Sequence, residues 1–152
     1  MSVAVGARRP SPAGSRYGWD PSRVFLAISA GYHLVLGLIG LAIDQTFPWT
    51  AAAAARHSDH IFGVLETNGW HSVAAVGLGL LSLLFVLRPQ HARAAALGIG
   101  ISQALVTVSF SLWAPTTFLF AANGADQVIH SFTALGGLAA GLMTRPDAAE
   151  AP

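Results

Sequence analysis

The sequence predicts an all-α membrane protein, a four-helix transmembrane bundle whose amino and carboxyl termini are both cytoplasmic. Three observations predict this fold class: the scarcity of charge, four apolar stretches of membrane-spanning length, and a one-sided distribution of arginine. Of the 152 residues, 53% are hydrophobic and only 10% are charged, whereas about a quarter of a soluble domain is charged. Such a chain would expose more apolar surface than a soluble monomer tolerates, so a bilayer is the solvent that suits it.

Composition also excludes several classes of function. The chain contains no cysteine and has a formal net charge of +1. The first fact rules out disulfides, thiolate metal sites and covalent haem attachment, and the second gives no support for a nucleic-acid partner. Motifs of nucleotide hydrolysis, serine hydrolysis and zincin-type proteolysis are absent from the sequence. We therefore expect no enzymatic activity, and we expect membrane lipids and either further copies of the chain or a larger membrane complex as partners.

Four stretches are apolar and long enough to cross a bilayer, since about 20 helical residues span the hydrocarbon core. The fourth stretch is the shortest and is rich in small residues. Asp20 and Pro21 provide a helix cap and a first-turn proline before the first stretch, and Pro89 and Pro146 follow the ends of the second and fourth. The predicted spans are residues 24–43, 70–87, 92–113 and 128–143.

Arginine placement predicts the orientation of these spans. Only Arg56 lies in the loop between the first two spans; the other arginines precede the first span, flank the turn between the second and third, or follow the fourth. The positive-inside rule then places both termini in the cytoplasm. Tryptophans fall near the predicted boundaries, as an aromatic belt requires: Trp49, Trp70 and Trp113 at the outer face and Trp19 at the inner face.

This orientation divides the chain into a cytoplasmic tail of residues 1–20, a membrane domain of residues 21–145 with an outer loop of residues 44–69, and a cytoplasmic tail of residues 146–152. Residues 1–20 are rich in Pro, Ser, Gly and Arg, which predicts disorder. An alternative interpretation takes Arg8 and Arg9 as a twin-arginine export signal with cleavage near residues 51–55. The first apolar stretch is longer than a usual signal core, and this favours a retained span.

Two polar side chains fall near the middle of predicted spans, where an ionisable or amide group needs a partner. They are His33 in the first span and Gln103 in the third. Thr107 and Ser111 continue from Gln103 at helical spacing, so that span carries a polar stripe. We predict an interhelical hydrogen bond between His33 and the third span, worth about 0.6 kcal/mol. The alternative is a proton-relay or transport role for the pair.

A second group of polar residues lies at the outer ends of the second and fourth spans. His71 opens the second span, Asp126 and His130 open the fourth, and the outer loop adds His57 and His60. Imidazole and carboxylate ligands suit a divalent transition metal, and His71 and His130 could instead ligate a haem from two helices. The preferred interpretation is a structural hydrogen-bond network without a cofactor, because histidines at this depth can bond to Asp, Asn or backbone.

Small residues predict where the helices approach one another closely. Gly37 and Gly40 share a face of the first span with His33, and Ala134, Gly137 and Gly141 share a face of the fourth with His130. Gly98 and Ser102 form a further small pair on the third span. Small residues allow backbone contact where lipid is as apolar as any side chain. A tightly packed bundle, rather than a wide pore, is therefore expected.

Two motifs resemble those of a known family. Residues 56–71 (RHSDHIFGVLETNGWH) form a polar loop that ends in Asn68 and His71, and residues 123–130 (NGADQVIH) precede a glycine pair at Gly136. The chain resembles, over residues 24–143, the actinobacterial four-helix integral membrane family catalogued as domain of unknown function 4383. The resemblance implies a plasma-membrane protein of a bacterium, with no assigned activity. Members often carry a second histidine where this chain has Ala75.

The leading hypothesis for function is a non-enzymatic structural or accessory component of a membrane assembly. One alternative is a metal- or haem-binding redox or sensor protein that uses His71 and His130. Another is a small transporter that uses His33 and Gln103, although no broken helix favours it.

Overall fold

The computed structural model of the chain describes residues 18–54, 56, 58–112 and 120–145. Trp113, residues 1–17 of the predicted N-terminal tail and the predicted C-terminal tail, residues 146–152, lie outside the described residues. Helix dominates, as the sequence predicts, but the structure adds one short β-hairpin that was not predicted. In chain order the elements are α1 (Pro21–Ile43), α2 (Ala51–Ala54), β1 (Asp59–Ile61), β2 (Leu65–Thr67), α3 (Gly69–Val86), a 3-10 turn (Pro89–His91), α4 (Ala92–Leu112) and α5 (Gly124–Met143).

Side-chain caps start three of the four long helices. The Asp20 carboxylate accepts from the backbone N–H of Arg23 at 2.9 Å, and Pro21 occupies the first turn of α1. The Asn68 side chain accepts from the N–H of His71 at 2.9 Å at the start of α3. Each cap satisfies an N–H group that the helix cannot pair internally. The caps therefore define helix starts within a few residues of the predicted spans.

Three helices of the described chain are long and apolar enough to cross a membrane: Pro21–Ile43, Gly69–Val86 and Pro89–Leu112. Helices of this length and composition indicate a membrane protein. α5 is not among the three, because its first half carries Asp126, His130 and other polar residues. Large apolar side chains nevertheless point outward from all four long helices, among them Ile28, Val35, Leu38, Leu80, Leu84, Leu105, Phe132 and Leu135.

The four long helices pack as two close pairs, α1 with α3 and α4 with α5, and α1 also contacts α4 and α5. Glycine makes both pairs close. A Cβ atom at Gly37 would lie 2.8 Å from the Ser72 carbonyl oxygen of α3, and one at Gly100 would lie 2.7 Å from the Leu138 nitrogen of α5. Since no real Cβ atom approaches backbone so closely, each pair depends on glycine at the crossing.

The glycine faces predicted for the first and fourth spans are buried in these contacts, but the one predicted for the third span is wrong. Gly98 and Ser102 are exposed, whereas Ala96 and Gly100 are buried against α5. The two pairs are two residues apart and so lie on opposite sides of α4. Both sides carry small residues, and the pattern alone could not show which one α5 covers.

The end of the molecule opposite the hairpin is held by hydroxyl groups. Ser22 near the start of α1 bonds to Thr144 just after α5, with 2.8 Å between the two hydroxyl oxygens and 3.0 Å from the Ser22 nitrogen to Thr144 Oγ1. Leu26, Val86 and Ala92 pack beneath this contact. The start of α1 therefore lies beside the end of α5, and these two helices run antiparallel.

Replacing Gly137 by Leu should destabilise the protein by about 1–3 kcal/mol, the usual cost of overpacking. A Cβ atom at this position would lie 2.8 Å from the Ala96 carbonyl oxygen and 2.9 Å from the Gly100 Cα. Leu142, which is 73% exposed on the same helix, provides the matched control. Thermal unfolding in detergent should show a large loss for Gly137→Leu and almost none for Leu142→Ala. Equal tolerance of both changes would contradict the α4–α5 contact.

Candidate functional site

A β-hairpin covers the end of the helices at which α3 and α5 begin. β1 and β2 pair antiparallel, with Ile61 opposite Leu65 and His60 opposite Glu66. The turn between the strands contains Phe62 (φ 54°) and Gly63 (φ 71°), the two consecutive positive φ angles of a type I′ hairpin turn. Ile61 is buried beside Gly40 of α1. The hairpin therefore lies over the interior of the helical part.

Asp126 joins this hairpin to α5. Its Oδ2 atom accepts from the N–H of Glu66 at 3.1 Å and from the N–H of Asn123 at 2.9 Å. The Asn123 amide completes the capping box of α5 and donates to the Val64 carbonyl oxygen at 2.7 Å. Asp126 is only 4% exposed, so the paired N–H groups replace the water that its carboxyl group loses on burial. We call this set of bonds the Asp126 clasp.

Three imidazoles from three helices lie beneath the hairpin: His33 of α1, His71 of α3 and His130 of α5. A cavity of about 150 Å³ is lined by all three and by Gln103 of α4. A smaller cavity of about 40 Å³, nearer the hairpin, is lined by the same three imidazoles, Asp126 and neighbouring residues. The structure therefore brings together two groups that the sequence analysis treated separately, the mid-span polar residues and the outer-end histidines.

Each of the three imidazoles uses Nδ1 as a donor. His33 Nδ1 lies 2.8 Å from the Ser29 carbonyl oxygen, and His71 Nδ1 lies 2.6 Å from the Ala121 carbonyl oxygen. His130 Nδ1 bonds to the Gln103 side-chain oxygen. Because an oxygen of this kind accepts, Nδ1 is the donor, and in the neutral tautomer with this hydrogen Nε2 carries the lone pair.

The predicted hydrogen bond between His33 and the third span is therefore wrong. Gln103 bonds to His130, and His33 bonds to Ser29 of its own helix. The reason is the pairing of the helices: α4 packs most closely along α5, so Gln103 meets α5 first. The rest of the predicted polar stripe is satisfied locally, since Thr107 and Ser111 each donate to the carbonyl four residues before them.

The predicted metal and haem ligands are only partly assembled. His71, Asp126 and His130 border the smaller cavity, but His60 is exposed on β1, and His57 lies outside the described residues. Among the described residues, no group of three or more His, Asp or Glu side chains is placed to hold a metal ion. The larger cavity, at about 150 Å³, is smaller than the roughly 300–1,000 Å³ of pockets for drug-sized ligands.

Several residues of the site were not predicted from the sequence. Ala121 contributes a backbone carbonyl, for which the sequence carries no signal. Phe110 and Phe120 line the larger cavity. Phe110 lies seven residues after Gln103, on the same face of α4, so helical spacing could have identified it.

Replacing Asp126 by Ala should open the hairpin locally. The N–H groups of Glu66 and Asn123 would lose their acceptor, at a cost of about 1–3 kcal/mol for a buried unsatisfied group. Hydrogen exchange at the Glu66 amide should accelerate by one to two orders of magnitude, since about 1.4 kcal/mol is tenfold. Asp126→Asn keeps an acceptor oxygen and should cause a smaller change.

Asp59→Ala is the control for the Asp126 prediction, since Asp59 is an exposed hairpin carboxylate whose bond within the described residues is to the adjacent N–H of His60. An unchanged exchange rate at Glu66 in Asp126→Ala would show that the clasp does not hold the hairpin.

Comparison with known proteins identifies a family. The model of a domain of unknown function, DUF4383, matches residues 23–143. No curated protein and no solved structure matches the chain. The match covers α1 through α5, and with them the hairpin, the Asp126 clasp and the three imidazoles. By this match, which spans most of its length, the chain belongs to the DUF4383 family.

Proposed function

We propose that the chain is a four-span bundle of a bacterial plasma membrane, with both termini cytoplasmic. α5 contains 20 residues, which at about 1.5 Å per residue matches a hydrocarbon core of about 30 Å. It exposes Val128, Phe132, Leu135 and Leu142. These outward apolar residues support a lipid-facing position for α5, although its buried face is polar.

Aromatic and basic residues support the same orientation. Trp49 and Trp70 lie edge to face, 4.7 Å between ring centroids, at the hairpin end. Trp19 lies at the opposite end, where the Arg23 guanidinium is 5.0 Å from its ring centroid. Tryptophan is typical of both membrane boundaries, and arginine of the cytoplasmic one. The hairpin would thus face outward.

Reporter fusions test the topology. A reporter at Pro152 should be active on the cytoplasmic side, and one inserted at Ala54 should be active on the outer side, because the arginines lie almost entirely with the termini. A reporter at Pro152 that is active on the outer side would show that α5 does not span the membrane.

We further propose that the protein is a non-enzymatic accessory component of a larger membrane assembly. The single observation that carries this proposal is an outward stripe of small residues on α4, namely Ala94, Gly98 and Ser102, which we call the α4 stripe. All three are exposed, and a Cβ atom at Gly98 would meet nothing within 4 Å.

The α4 stripe has the composition of a helix-packing surface. On the opposite side of the same helix, Ala96 and Gly100 contact α5 with backbone-to-backbone closeness. A face of small residues gains nothing particular from contact with lipid chains, but it lets the backbone of another helix approach closely.

Cross-linking tests the α4 stripe directly, because the chain contains no cysteine. Gly98→Cys in native membranes should form cross-links to a neighbouring helix, since the stripe would pack at close range. Ile28→Cys, on the lipid-facing side of α1, should not. A cross-linked product of twice the chain mass indicates a second copy, and any other mass indicates a different subunit.

Gly98→Leu provides the complementary test. It should reduce the native mass of the assembly but leave thermal stability of the single chain unchanged, because no described atom lies near the added side chain. Equal cross-linking of Gly98→Cys and Ile28→Cys, or an unchanged native mass, would refute the assembly role.

A further inference from the structure

The three imidazoles offer the same kind of atom to the larger cavity. With each Nδ1 donating to an oxygen, Nε2 is the ring nitrogen left for the cavity, and none of the three Nε2 atoms has a partner among the described residues. His33 is 6% exposed, and the other two rings are partly buried. These Nε2 atoms are not among the fully enclosed unpaired atoms of the described residues. They border a cavity, and a molecule that enters it can bond to their lone pairs.

The imidazoles cannot satisfy one another. Two acceptors repel unless a donor lies between them, and all three Nε2 atoms are acceptors in this arrangement. The rings of His71 and His130 are nearly parallel, with centroids 6.0 Å apart and 26° between planes. A group that bonds to either Nε2 must therefore bring its own N–H or O–H.

A metal ion would also accept imidazole lone pairs, and carbonyl-held histidines are typical of metal sites. The spacing argues against it here. Within residues 18–54, 56, 58–112 and 120–145, no three His, Asp or Glu side chains converge on one point. This spacing favours an organic molecule over a metal ion.

The wall and the volume of the cavity limit the polarity and the size of that molecule. Between the imidazoles the wall is apolar, formed by Leu78, Val106, Phe110 and Phe120. A volume of about 150 Å³ matches an engineered apolar cavity of about 150 Å³ that binds benzene. Water molecules in the cavity would leave most of their hydrogen bonds unmade against this apolar wall. A compact apolar molecule with one N–H or O–H would match both the apolar wall and the imidazoles.

Access from the bilayer is consistent with this geometry. Ala74 lines the cavity and is exposed. It lies on α3, on the side where α3 and α4 contact each other far less than either contacts its close partner. A molecule that partitions into lipid could enter between these two helices.

We propose that the cavity bounded by His33, His71 and His130 is a binding site for a compact, membrane-soluble molecule with an apolar body of about six heavy atoms and at least one O–H or N–H donor. The donor bonds to imidazole Nε2, and the body contacts Leu78, Val106 and the two phenylalanines. This site is independent of the assembly role of the α4 stripe.

Imidazole nitrogen NMR tests the proposal with phenol and toluene, two probes of nearly equal size of which only phenol carries a donor. The full chain, labelled with ¹⁵N-histidine in bilayer nanodiscs, is titrated with each probe. Phenol should shift the Nε2 resonances of His33, His71 or His130, and toluene should shift them far less. The exposed imidazoles of His60 and His91 serve as internal references for partitioning into the bilayer.

A cavity-filling variant locates the effect. Ala75 lines both cavities, and Ala75→Leu should weaken the phenol response at least about tenfold, that is, by about 1.4 kcal/mol. Ala139→Leu, an exposed position on α5, should leave it unchanged. If Ala75→Leu does not fold, the comparison of phenol with toluene in the unmodified chain still tests whether binding requires a donor.

Three results would overturn the proposal. Equal shifts with phenol and toluene would show binding without donor recognition. No shift with either would show that water alone occupies the cavity. Nε2 resonances that respond to Zn²⁺ and not to phenol would replace the organic ligand with a metal ion.

Discussion

Backbone contact at glycine positions determines where the four long helices lie, and the remaining structure depends on it. Gly37 and Gly40 bring α1 against α3, and Gly100 and Gly137 bring α4 against α5. In a lipid environment, burial of apolar side chains does not by itself sort helices, because lipid chains are equally apolar. Close approach, with its dispersion contacts, must do so instead. Two tight pairs result, and the space between them is what the imidazoles line.

Polar groups are distributed according to the same constraint. Inside the helical part each described imidazole donates to an oxygen close to it, on its own helix for His33 and on a neighbouring segment for His71 and His130. At the hairpin end, the Asp126 clasp binds two backbone N–H groups from separate segments. The imidazole Nε2 atoms lack a partner among the described residues but border a cavity, so they are open to a hydrogen-bond donor. The proposed ligand site and the proposed assembly surface are different parts of the molecule, the cavity and the α4 stripe, and can be tested separately.

Much of the fold was predictable because its signals are local. Hydropathy and length predicted helices that the structure bounds within a few residues, and Asp20 and Asn68 cap helices for reasons that the adjacent sequence contains. The β-hairpin was not predicted, since its strands contain only three residues each. Of the candidate site, the residue types were predicted, but their common depth and their partners were not. Gln103 was assigned to His33 and bonds to His130.

The sequence by itself therefore determined the class of protein, the helix limits, the helix caps and the set of polar residues that must lie inside. Each of these follows from the composition of neighbouring residues along one helix. Only the tertiary structure decided which side of α4 meets α5, because Gly98 and Gly100 are equally small and differ only in what faces them. It alone placed His33 of α1 in the same cavity as His71 and His130, and it supplied the Ala121 carbonyl oxygen to His71. Such contacts join residues far apart in the chain, and periodicity within one helix carries no information about the rotation of its neighbour.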